Sequence, residues 1–308
     1  IAVLCSNPFV RDKSGRLMKA ALLSHDAYKS EDLRREMMLG AMTFPCGQCL
    51  ACRINKRRVW THRLMLEGFC HDDAIFLTLT YATEHLPDGR EELCKRDVQL
   101  WLKRVRKALA PRKIRYYLAG EYGEKKGRPH YHAILFGVSK SDADLCASLW
   151  GKGRVDKGDG NRLTFQYVAG YVTKKYIKKS DGIQREFALM SRKPGIGYPA
   201  LEKVMQLMDN PQFVRLLHLQ KDVPHGLKHG DKFWPFGQYL TNKLREMMDS
   251  GYTPDTFYSD LRQKYIECAA SGQQFWERMQ DENRQRLRDL HTRERLFGQR
   301  RKYHGPTS

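Results

Sequence analysis

No apolar run in this chain approaches the ~20 residues that a helix needs to cross a bilayer, so no membrane-spanning helix is expected. Acidic residues are few against basic ones: 35 Asp and Glu face 55 Lys and Arg, a formal net charge of +20. Such an excess points to a polyanionic partner, most often nucleic acid, drawn in by counterion release. No internal repeat and no low-complexity tract is present, which sets aside a repeat array or a linker-like chain. The opening IAVLCSNPFV has neither a basic leader nor a small-residue cleavage site, so it is not read as a secretory signal; the missing initiator Met suggests a trimmed start. Disorder is excluded by a content of 41% hydrophobic and 11% aromatic residues. The 308 residues leave room for one large domain or two smaller ones.

The eight cysteines are unevenly spread, with Cys46, Cys49 and Cys52 gathered in PCGQCLACR. In a long chain without a secretory signal, that clustering suggests thiolate metal ligation rather than a disulfide framework. Three thiolates lack the fourth ligand of a closed tetrahedral zinc site. Cys5 is the first candidate for it, with Cys70, His62 or His71 as substitutes. Structural Zn2+, three free thiols and an iron–sulfur cluster all remain open; in the zinc reading the site pins the N-terminus onto the helix that follows and has no part in catalysis.

Along the chain the pattern changes three times, dividing it into residues 1–70, 71–180 and 181–308. The segment NKRRVWTHRLMLEGF carries one apolar helical stripe, so a helix is expected over residues 53–69. AIFLTLTY (74–81) reads as a strand, and DVQLWLKRVRKAL as a helix ended by Pro111. KIRYYLAGEYG and HYHAILFGV read as two strands joined by the turn EKKGRP. SDADLCASLW is a loop or short helix, and GKGRVDKGDGN a glycine-rich loop. TFQYVAGYVTKKYIKK is expected as a helix with Thr164 as its N-cap. Beyond Lys179 the pattern weakens into breaker-rich stretches. From Arg278 to Lys302 nine basic and four acidic residues suggest a solvated helix or arm.

In a strand, residues two apart point to the same face, so His130 and His132 point the same way. Two imidazoles so placed can share a divalent cation, and Glu121, at the end of the preceding strand, can complete an open three-ligand site. In the following helix Tyr167 and Tyr171 are four apart and share a face, with Lys174 one turn on. Gly170 between them is unfavourable in a helix and leaves room for a close approach. Aromatics at this spacing also serve as core. Yet the conjunction fits one reaction: a cation on the phosphate oxygens and a tyrosine to attack phosphorus. A phenol is a poor nucleophile at neutral pH unless positive charge stabilises its anion, which a metal and Lys174 or Lys175 would supply.

AIFLTLTY, RPHYHAILFG and YVAGYVTKKY, in this order, resemble the three motifs of HUH endonucleases, the rolling-circle replication initiators. With PCGQCLACR upstream, the chain resembles the replication initiators of the Microviridae, especially the gokushovirus branch. The motifs cover about residues 46 to 179. The resemblance implies an α+β fold: a central antiparallel sheet of HUH type flanked by helices, with a Cys-rich N-terminal region and a basic, mainly helical C-terminal region. It implies His130, His132 and Glu121 as ligands of Mg2+ or Mn2+, and Tyr167 and Tyr171 as paired nucleophiles. Where related helices often carry lysine between the tyrosines, this chain has Gly170, which leaves the assisting lysine to Lys174 or Lys175. Tyr176 is read as core or DNA-contacting. The implied partners are single-stranded and origin DNA and the host replication machinery, in the cytoplasm of a bacterial host. Two rivals stand: a plasmid relaxase or transposase of the same chemistry, and a non-enzymatic, zinc-stapled basic binder whose tyrosines stack on bases.

Overall fold

The computed structural model describes residues 9–11, 17–19, 43–48, 50–86, 92–123, 127–171, 184–208, 223–248, 267, 270–272, 285 and 288. The chain forms two compact units, Ile1–Asn55 with Leu219–Asp222 and Gly251–Ser308, and Lys56–His218 with Val223–Ser250. In the first, strands β1 (Phe9–Arg11), β2 (Leu17–Lys19) and β3 (Thr43–Phe44) pair antiparallel in the order β2-β1-β3. Helix α1 (Leu50–Gly68) follows.

The second unit holds the central sheet. Its strands are β4 (Ala74–Thr80), β5 (Arg115–Tyr122), β6 (Pro129–Phe136), β7 (Val155–Asp159) and β8 (Phe187–Met190), in the order β7-β4-β6-β5-β8. All four pairings are antiparallel. Helix α2 (Lys95–Ala108) precedes β5, α3 (Ala143–Ser148) follows β6, and α4 (Arg162–Tyr171) follows β7. The rest of the unit is α5 (Leu201–Met208), the hairpin of β9 (Gly226–His229) and β10 (Lys232–Pro235), and α6 (Gly237–Met247). This is the expected α+β architecture, an antiparallel sheet with helices on both faces.

Alternation in the strands divides the core. On one face Ile75, Leu77, Leu79, Leu118, Tyr131, Ala133 and Leu135 pack against Val98, Trp101, Leu102 and Val105 of α2. On the other, Tyr117, Ala119, Ile134 and Phe136 meet Leu64 of α1 and Phe165, Val168, Ala169 and Tyr171 of α4. Burying these two apolar faces, at roughly 25 cal/mol per Å2 removed from water, holds the layers together. A third cluster joins Leu66 of α1 to Leu201, Val204, Phe236, Leu240 and Leu244. The end of α1 is also fixed by a buried charge. Glu67, fully buried, pairs with the Arg115 guanidinium, accepts the Gly197 N–H at 2.7 Å and contacts His71 at 3.2 Å. Hydrogen bonds from these partners hold its carboxyl below the ordinary value despite burial.

Three sequence expectations are corrected. Part of GKGRVDKGDGN, expected as loop, is the edge strand β7; four of its five side chains are exposed, so it needs no apolar alternation and is held by its ladder to β4. Gly153 admits the turn into it, because a Cβ there would stand 2.3 Å from the Ala82 nitrogen. Second, Asn161 rather than Thr164 caps α4: its Oδ1 accepts the N–H groups of Leu163 (2.9 Å) and Thr164 (3.2 Å). The Thr164 hydroxyl instead accepts the Asn161 N–H at 2.9 Å, closing the cap from inside the first turn. Third, the breaker-rich stretch past Lys179 contributes β8, the β9–β10 hairpin and two helices. The continuation of the tyrosine helix past Tyr171, and nearly all of the basic tail, lie outside the described residues.

Candidate metal and tyrosine site

Register places the site. Glu121 lies opposite His130 and Ala119 opposite His132 in the β5–β6 ladder, while Thr78 faces His132 from β4. These residues occupy the sheet face that α1 and α4 cover. The Glu121 Oε1 atom is 3.0 Å from His130 Nε2 and 2.9 Å from His132 Nε2. Glu121 and His132 are buried; His130 is partly open to solvent. The other ring nitrogens are held as well: His130 Nδ1 donates to the Arg128 carbonyl at 3.0 Å, and His132 Nδ1 lies 3.1 Å from the Thr78 hydroxyl.

That hydrogen bonding tests whether a metal fits. A carbonyl only accepts, so His130 Nδ1 carries the proton and the neutral ring turns its Nε2 lone pair toward the Glu121 carboxylate. A lone pair facing a carboxylate oxygen at 3.0 Å repels unless a cation lies between them. Two imidazoles and one carboxylate, oriented by a carbonyl and a hydroxyl behind them, suit a divalent ion with open positions. Among the described residues this is the one cluster of three such groups whose ligand atoms all lie within 4.8 Å of one another.

The tyrosine helix lies directly on the histidines. His132 is held between two rings, Tyr171 at 4.6 Å with planes 3° apart and Phe76 at 5.9 Å with planes 9° apart. Tyr167 meets it edge-on at 5.3 Å and 82°, and stands 5.0 Å from Tyr171 at 85°. The two tyrosines differ in access: Tyr171 is 8% exposed and Tyr167 is 38% exposed. Tyr131, between the histidines, points to the opposite face; its hydroxyl lies 3.0 Å from that of Tyr81 and accepts the Cys94 N–H at 2.7 Å. Burial pushes the Tyr131 phenol above its ordinary value, the reverse of what a nucleophile needs.

Glu121, His130, His132, Tyr167 and Tyr171 are thus brought together. Lys174, Lys175, Tyr176, Cys5 and Cys49 lie outside the described residues. In the first unit the thiols of Cys46 and Cys52 are 4.0 Å apart. Of the substitutes considered for a fourth zinc ligand, His71 contacts Glu67 at 3.2 Å. His62 donates from Nδ1 to the Pro235 carbonyl and lies 3.0 Å from His229 through its other ring nitrogen. Sequence reasoning missed Thr78, Phe76 and Arg57, whose Nε donates to the Gln166 carbonyl of α4 at 3.3 Å. Thr78 and Phe76 were legible as the same-face residues of β4; nothing local marked Arg57.

Comparison with known proteins agrees with the motifs. Residues 74–176 match the family model for the replication-associated protein described as ORF2 or gene 2 protein. The chain is 32% identical over 200 residues to replication-associated protein VP4 of Bdellovibrio phage phiMH2K, covering 57% of this chain and 62% of that protein. It is 26% identical over 255 residues to replication-associated protein ORF4 of Chlamydia phage 1, covering 73% and 60%. It is 29% identical over 232 residues to replication-associated protein ORF2 of Spiroplasma virus 4, covering 68% and 70%. The chain therefore spans about three fifths of the length of the first two. No solved structure matches it. By sequence the chain is related to phage replication-associated proteins, the Microviridae-like kinship that its motifs implied.

Proposed function

We propose that this protein starts rolling-circle replication by nicking and rejoining single-stranded origin DNA through a 5′-phosphotyrosine. The observation that carries the reading is the His130–Glu121–His132 cluster with two tyrosines seated against one of its imidazoles. A bound Mg2+ or Mn2+ would draw charge from the non-bridging phosphate oxygens and orient the phosphate. His130 and His132 offer Nε2 to it and Glu121 offers Oε1, while Arg128 and Thr78 fix the rings behind. Tyr167, the more exposed of the pair, attacks first. Its oxygen bonds to phosphorus as its proton leaves, the bond from phosphorus to the 3′ oxygen breaks, and that oxygen takes up a proton. The 5′ end stays on the protein and the 3′ hydroxyl is free for a host polymerase. After one circle is copied, Tyr171 attacks the regenerated junction, and the first phosphotyrosine is released by the freed 3′ hydroxyl, which closes the circle.

The excess of positive charge serves the DNA backbone. Convergence of the Cys46 and Cys52 thiols favours a structural zinc staple completed by Cys49 and Cys5, apart from the chemistry. The phage relatives favour action in the cytoplasm of a bacterial host. The deciding experiment incubates the protein with circular single-stranded DNA and Mn2+ and looks for a covalent adduct on the 5′ end. An intact circle with every divalent ion tried refutes the enzyme and leaves a basic binding protein.

A further inference from the structure

We propose that Arg57 of α1 supplies the positive charge of the tyrosine helix, holding the DNA phosphate on which Tyr167 acts. The inference rests on the strand-cleavage reading above. Arg57 is half-buried, and its Nε donates to the Gln166 carbonyl at 3.3 Å. One turn further along α4, a Cβ at Gly170 would stand 3.7 Å from the same Nε and 3.8 Å from Cζ. The guanidinium therefore lies along α4 from Gln166 to Gly170, the residues immediately before Tyr167 and Tyr171.

Glycine is unfavourable inside a helix. Here it keeps the ridge low, so that a cation from another helix can lie beside both phenols. The hydrogen bond to the Gln166 carbonyl orients the guanidinium without neutralising it, because a carbonyl carries no net charge. The sheet face beside it carries the Glu121 carboxylate, so an incoming phosphate needs a compensating charge near the nucleophile. A guanidinium meets that need: it stays charged at every working pH, and its planar fork matches two oxygens of a phosphodiester. The same charge favours a phenolate over a phenol at either tyrosine.

The test compares wild-type protein with Arg57→Gln, Arg57→Lys and the double variant R57Q/G170K, using circular single-stranded DNA and Mn2+. Adduct formation gives kcat and KM, and thermal unfolding is followed alongside. Arg57→Gln should lower kcat about 100-fold, the scale for losing one charge-stabilising group at a reacting centre. KM and the unfolding temperature should hold, because affinity is spread over many basic residues. Arg57→Lys should recover much of the rate. The double variant returns a cation from the helix side and should recover part of it. Cleavage by Arg57→Gln at the wild-type rate overturns the inference while leaving the cleavage reading intact. So does a folded double variant with no more activity than a destabilised Arg57→Gln, which would make Arg57 a strut between helices. A wild-type protein that forms no adduct overturns the cleavage reading and the role of Arg57 with it.

Discussion

Truncating Tyr167 and Tyr171 separately should show that two residues four apart on one helix do different work. Tyr171 is 8% exposed and stacked flat on His132, so replacing it with alanine opens a cavity between α4 and the sheet. Large aromatic-to-alanine changes at such places cost about 3–5 kcal/mol. Tyr167 is 38% exposed and makes only edge-on ring contacts with His132, Phe76 and Tyr171, so its truncation should cost about 1 kcal/mol. With a urea dependence of about 1–3 kcal/mol per M, the unfolding midpoints of the two alanine variants should differ by at least about 1 M, Tyr171→Ala being the weaker. Phenylalanine keeps both rings in place and costs at most about 1 kcal/mol for the lost hydroxyl, which separates packing from chemistry. Tyr167→Phe should then nearly abolish the first covalent adduct. Tyr171→Phe should form that adduct at close to the wild-type rate and fail in circle closure. Equal midpoints for the two alanine variants would refute the packing argument. A wild-type first adduct in Tyr167→Phe would refute the order of attack, and an adduct in the double phenylalanine variant would place the nucleophile elsewhere, with Tyr176 next in line.

Glu121→Gln keeps the shape of the site but removes its charge, so divalent-ion affinity measured by calorimetry should fall at least tenfold while His130→Ala abolishes nicking and spares most DNA affinity. Stability should fall in acid through His62, whose imidazole burial holds at about 4 against an ordinary 6.5. The unfolded chain takes up that proton first, so the contribution is complete above pH 6.5 and is lost as pH falls toward 4, a change of roughly 3 kcal/mol in all. Urea midpoints at about pH 7 and about pH 4.5, on either side of the ordinary imidazole value, should differ less in His62→Gln than in wild type; an unchanged difference would clear His62. DNA affinity should fall steeply between about 50 and 200 mM salt, and a flat dependence would show that the +20 charge serves another purpose. Purified protein should carry one tightly held zinc, lost in Cys46→Ser, and fully folded zinc-free protein would remove the staple.

Period two in AIFLTLTY and HYHAILFG determined, without any structure, that these segments are strands and that His130 and His132 share a face. Nine residues between Glu121 and His130, closing through EKKGRP, determined the hairpin that sets carboxylate against imidazole. Spacing of four placed both tyrosines on one side of their helix. These properties are local, set by strand and helix geometry over a dozen residues. Long-range packing decided the rest. Strand β7 exists because β4 offers an edge to pair with, and its exposed side chains carry no pattern to betray it. Asn161 caps α4 only because the end of β7 brings the chain there in the right direction. The inequality of Tyr167 and Tyr171 comes from which of them the sheet buries against His132, and no sequence spacing encodes that. Arg57 reaches α4 across more than a hundred residues of chain, an approach made by the packing of α1 and α4 on one sheet face and invisible to any window along the sequence.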